Sequence, residues 1–100
     1  MENIGVIAQK PEQNESGKWN FLDVYYDTDE DFNQATSKMI NILYKSDSDG
    51  KCIVTDDKGN KYLLELIHST YDTSKNKIRI FPHNCDVIIS PDKKIKKELN

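Results

Sequence analysis

Residues 51–69 read KCIVTDDKGNKYLLELIHS. Two runs rich in β-branched and large apolar side chains, Cys52 to Asp56 and Lys61 to Ser69, flank Asp57-Lys58-Gly59-Asn60. Glycine adopts positive φ without a steric cost, and Asp and Asn side chains bond back to their own backbone, so the tetrapeptide suits a tight hairpin. A hairpin in the middle of the chain sets antiparallel pairing as the theme of the fold.

Upstream, residues 28–45 carry a helix signature. Thr28 is placed to cap the first amides, and Asp29, Glu30 and Asp31 follow at the positive end of the helix dipole. Phe32, Ala35, Thr36, Met39, Ile40, Ile42 and Leu43 then recur at spacings of three and four, which makes an apolar stripe. Ser46 to Gly50 ends the helix, with Lys45 in its last turn. Before the helix, Ile4 to Ala8 and Trp19 to Tyr26 read as strands joined by the polar loop Lys10 to Lys18. In the second strand Trp19, Phe21, Asp23 and Tyr25 share one face and Leu22, Val24 and Tyr26 the other, and each face is expected to be partly covered.

Downstream, Tyr71 to Asn76 is a polar turn, and Lys77 to Phe81 alternates charged and apolar residues. Pro82 to Asp86 is read as a break before a last strand, Val87 to Ser90. Ser90-Pro91-Asp92 offers a cap and a proline at a first helical position, so a short C-terminal helix or a basic tail is expected over residues 91–100. The expectation is a single α+β domain over residues 1–100, ordered ββαββββ, with one amphipathic helix packed on a mainly antiparallel sheet.

Composition narrows the classes of function. The chain has 100 residues, 36% hydrophobic and 31% charged. That balance suits a soluble globular domain and neither a disordered nor a membrane protein. The longest apolar runs, such as Val87-Ile88-Ile89, fall far short of the roughly 20 residues a membrane span needs. Met1 to Lys10 lacks the positive start and long apolar core of an export signal, so a cytoplasmic location is expected, with Cys52 and Cys85 as reduced thiols. The basic residues are nearly all lysine, Arg79 being the only arginine, and Asn, Asp and Ile are plentiful. This composition fits an AT-rich coding source such as a low-GC bacterium or its phages and mobile elements.

No sequence motif brings catalysis with it. The chain has no nucleotide-binding glycine loop, nucleophile elbow or paired metal-ligand motif. Asp47-Ser48-Asp49-Gly50 resembles part of a calcium-binding loop, but Lys45 stands where the first carboxylate ligand belongs, so a helix-to-strand turn is the better reading. His83 and Cys85, with Cys52 or His68, form one loose ligand set rather than two close pairs. A cysteine nucleophile at Cys85 would lack an oxyanion loop. No catalytic residue, metal or cofactor is therefore assigned, and a cysteine enzyme or metal protein stands only as a remote alternative.

Charge is the remaining guide. Of the net −3, residues 1–31 hold eight acids against Lys10 and Lys18, while Lys93, Lys94, Lys96 and Lys97 oppose Asp92 and Glu98 in the tail. Asp23, Tyr25, Tyr26, Asp27, Asp29, Glu30 and Asp31 form an acidic, tyrosine-bearing corner suited to a basic protein surface. The expectation is a non-catalytic protein-binding module, of inhibitor or immunity type, that masks a partner such as a nucleic-acid-handling or defence enzyme. Homodimerisation through an exposed sheet edge is a further expectation. The alternative is nucleic-acid binding through Lys93, Lys94, Lys96 and Lys97; it is the weaker reading because arginine, the better reader of phosphate and guanine, occurs only once.

Overall fold

A computed structural model describes residues 3–27, 29–72 and 74–89. The central hairpin forms as its sequence dictates. The Asp56 carboxylate accepts from the Lys58 and Asn60 amides, the Asn60 side chain and the Tyr62 hydroxyl, while Gly59 takes a φ of +85°. It joins β3 (Lys51–Asp56) to β4 (Lys61–Asp72), paired antiparallel with Val54 opposite Tyr62. The remaining elements are β1 (Asn3–Ile7), β2 (Leu22–Tyr25), α1 (Phe32–Tyr44) and β5 (Lys77–Ile89).

These strands form a closed barrel in the order β1-β2-β5-β4-β3, which corrects the expected open sheet of ββαββββ order. Two findings overturn that expectation. First, β5 is one strand that runs through the supposed break at Pro82. Pairing with β4 shifts at Leu66–Pro82, where Ile67 is the extra residue on one strand and His83 on the other. Each bulge bends its strand, and because each lies on an opposite strand the register is restored beyond them. Pro82 sits buried at this bend, where a missing amide is tolerated. Second, β1 pairs parallel with β3, Val6 opposite Thr55 and Ile7 opposite Asp56, and so joins the two ends of the sheet. The bent β4–β5 hairpin can then serve β3 through residues 61–65 and β2 through residues 77–80.

Helix α1 does not lie across the face of an open sheet. It contributes Ala35, Met39 and Ile42 to the same core as Ile7, Val24, Val54, Leu64 and Ile80, and it touches β4, β1 and β3. Its apolar stripe is narrower than the sequence suggests, since Ile40 is exposed and Phe32 and Leu43 are half-buried. Asp31 is the N-cap: its carboxylate accepts from the Gln34 amide, and the Gln34 side chain accepts from the Asp31 amide. Thr28, the expected cap, lies outside the described residues, as do the tail and its expected short helix. At the other end the Ser48 hydroxyl lies within 2.9 Å of the carbonyls of Asn41, Ile42 and Lys45, so Asp47-Ser48-Asp49-Gly50 is a helix-to-strand turn.

Beyond the barrel's closure the β4–β5 hairpin overhangs. Among the described residues, Phe81–Ile89 of β5 pairs with β4 on one side and with no strand on the other, and Val87 and Ile88 are exposed there. Residues 66–72 of β4 likewise pair with β5 alone, so among the described residues the sheet edge expected to support a homodimer lies along these two stretches.

Candidate functional site

Strands β2 and β5 lie side by side with Leu22 opposite Ile80, Asp23 opposite Arg79, Val24 opposite Ile78 and Tyr25 opposite Lys77. Leu22, Val24, Ile78 and Ile80 are buried in the core, so alternation turns Phe21, Asp23 and Tyr25, with Lys77, Arg79 and Phe81, to the outer face. β4 sets His68 beside Phe81 on the same face.

The side chains interlock across the strands. Asp23 accepts from Arg79 Nε at 2.8 Å and from Nη2 at 3.3 Å, and Lys77 Nζ lies 3.5 Å from the same carboxylate. The Arg79 guanidinium carbon sits 3.9 Å from the Phe21 ring centroid. Phe21 meets Phe81 at a centroid distance of 6.2 Å, and Phe81 stacks flat on His68 at 4.1 Å, the rings 3° from parallel. The result is a continuous strip of planar groups, His68–Phe81–Phe21–Arg79, fixed at one end by Asp23. The bond from Arg79 holds the Asp23 carboxyl below the usual value of 3.8, against the opposing effect of burial, with further help from the charges of Arg79 and Lys77. Two cations against one carboxylate leave this part of the strip at a formal +1.

Tyr25, 44% exposed, stands between two depressions. On one side is a groove of about 300 Å³ with walls from Phe21, Arg79, Tyr25 and the end of β1 at Ile7 and Ala8. On the other is a wider, shallower depression of about 630 Å³ that holds Asp27, Glu30 and Lys38.

The expected acidic corner is therefore divided. Asp23 belongs to the strip with Arg79, and Tyr25 borders both depressions. Tyr26 is only 4% exposed; its hydroxyl donates to Asn76 Oδ1, which places it in the core rather than on a contact surface. Asp31 caps α1, Glu30 forms an ion pair with Lys38, and Asp27 accepts from the Asp29 amide in a local turn. Asp29 itself is exposed. Lys93, Lys94, Lys96 and Lys97 lie outside the described residues.

Sequence reasoning missed Arg79, Phe81, His68 and Lys77 as members of one site. The signal that could have found part of it was the shared face of Phe21, Asp23 and Tyr25 and the alternation of Lys77, Arg79 and Phe81. What no sequence pattern revealed was that these two faces are neighbours. Burial pushes the Cys52 thiol up to about 12, and burial with the nearby Asp86 charge pushes Cys85 up to about 11, which favours the protonated thiol at both. Among the described residues, no three His, Cys, Asp or Glu side chains gather as a metal site, and no helix is long and apolar enough to cross a membrane.

Compared with known proteins, the chain matches no family model, no curated protein and no solved structure.

Proposed function

We propose that this chain is a non-catalytic binding module that masks part of a protein partner with the outer face of β2, β5 and the adjoining end of β4. The observation that carries the reading is the outward-facing strip of Phe21, Arg79, Phe81 and His68, with Phe21 and His68 exposed and Arg79 and Phe81 half-buried, held in fixed geometry by the Asp23 fork. Phe21 is 49% exposed. Aromatic and arginine side chains that are ordered before binding lose little entropy on docking, which makes them the usual anchors of protein interfaces.

The acidic residues Asp27 and Asp29 flank this face across Tyr25 and would meet a basic rim on the partner, speeding encounter more than tightening the complex. A partner of the inhibitor-target kind, whose own site is basic, suits this arrangement. Stacked rings also suit single-stranded nucleic acid. That reading is the weaker one, because Asp23 takes up the fork of Arg79 and the nearby acids repel phosphate.

The test is affinity capture at moderate salt with the wild type, Phe21→Ala, Phe81→Ala and Asp29→Asn. A stoichiometric protein partner should be retained by the wild type and bound at least about tenfold more weakly by each phenylalanine variant, with a smaller loss for Asp29→Asn. Undiminished capture by both phenylalanine variants, or recovery of nucleic acid alone, would overturn the proposal.

A further inference from the structure

Resting on that reading, we infer that the groove between Tyr25 and Phe21 is the anchor pocket of the docking face and takes one aromatic side chain of the partner, stacked on the Arg79 guanidinium. The geometry is specific to a flat, electron-rich group. Asp23 occupies Nε and Nη2 of Arg79, and Phe21 covers the guanidinium at 3.9 Å, yet the arginine side chain is still 39% exposed and lines the groove. The two bonds to Asp23 and the Phe21 ring orient the planar cation at the groove's wall. A delocalised, weakly hydrated cation fixed in this way attracts the negative face of an aromatic ring and gains little from an aliphatic one.

The walls agree with that occupant. Ile7 and Ala8 supply an apolar side, Tyr25 a second ring, and about 300 Å³ suits one large side chain rather than a peptide segment or a cofactor. An anionic side chain is disfavoured within the groove, because Asp23 takes up two donors of Arg79 and lines the groove itself, while Lys77, the source of the strip's formal +1, is not among the lining residues. Net charge complementarity here is thus between a fixed guanidinium and a ring quadrupole.

The experiment follows the backbone amides and the Arg79 Nε–H by NMR while the full chain is titrated with N-acetyl-tryptophanamide. Parallel titrations use N-acetyl-cyclohexylalaninamide and a short oligothymidylate. Shifts should centre on residues 21–25 and Arg79, and the tryptophan probe should bind about three- to fivefold more tightly than the aliphatic one. Arg79→Lys, which keeps the charge but loses the plane, should remove that preference, and Phe21→Leu should weaken it while the amide spectrum stays folded. Absent or scattered shifts, equal binding of the ring and aliphatic probes, or tighter binding of oligothymidylate at these amides would overturn the inference. If the groove fails these tests while the phenylalanine variants still lose the captured protein partner, the anchor inference falls and the docking face stands.

Discussion

At Gly5 the barrel depends on the absence of a methyl group. A Cβ there would lie 2.5 Å from the Tyr25 carbonyl and 2.7 Å from Val24 Cγ1, at the point where β1 shifts register against β3. Gly5→Ala should destabilise the protein by about 1–3 kcal/mol in urea unfolding, as overpacking of a tight contact does, and should disturb the amide of Tyr25 beside the groove. An unchanged midpoint would show that β1 and β2 approach less closely than described here. Asp23 gives a second test, by pH. Its carboxyl is held below 3.8 by Arg79, so the stabilisation is fully present above that ordinary value and is lost as pH falls through the lower folded value. The Arg79 Nε–H resonance should therefore hold steady from neutrality to about pH 4 and move only in stronger acid, and Asp23→Asn should abolish the movement. A transition centred near neutrality would contradict the fork. Such residue-scale features are partly legible in the sequence. The hairpin acceptor Asp56 and its turn glycine Gly59 act locally, and their spacing shows it; the partner of Asp23 lies 56 positions away and leaves no local mark.

Among the elements, the hairpin β3–β4 and the helix α1 follow from local rules, since turn chemistry and apolar spacing are contained within each segment. The start of α1 moves to Phe32 because Asp31 and Gln34 complete a reciprocal cap, a pairing as readable in the sequence as the Thr28 cap chosen in its place. The continuity of β5 is hidden for a different reason. Pro82 removes an amide and His83 interrupts the alternation, so a bent strand and a broken strand give the same pattern; only the matching extra residue Ile67 on β4 tells them apart. Deleting His83 alone should remove its bend and leave the Ile67 bulge uncompensated, while Pro82, Asn84 and Cys85 keep their partners on β4 and their faces. Half-buried Cys85 should therefore stay about as slow towards a thiol reagent at pH 8 as it is in the intact protein, where both thiols should react slowly. Rapid modification of Cys85 in a folded deletion variant would contradict His83 being the extra residue of a bulge.

For the whole molecule, closure decides what the protein can present. The parallel contact between β1 and β3 spans some 50 positions, from Asn3 to Ile53, and follows no motif, so the six-strand open sheet read from local patterns lacks both its seam and its curvature. Once closed, the barrel gives β2 neighbours on both sides and turns Phe21, Asp23 and Tyr25 outward against β5, which converts separate alternating strands into one face. The acidic corner was legible as charge, but three of its seven members, Asp31, Asp27 and Tyr26, serve the cap of α1, a local turn and the core. The measurement that bears most directly on this account is hydrogen–deuterium exchange of the full chain, alone and with its captured partner. Slowed exchange should concentrate in residues 20–25 and 77–81 and around His68, with the hairpin tip at residues 57–60 unaffected. Protection at that tip with an unprotected face of β2 and β5 would contradict it.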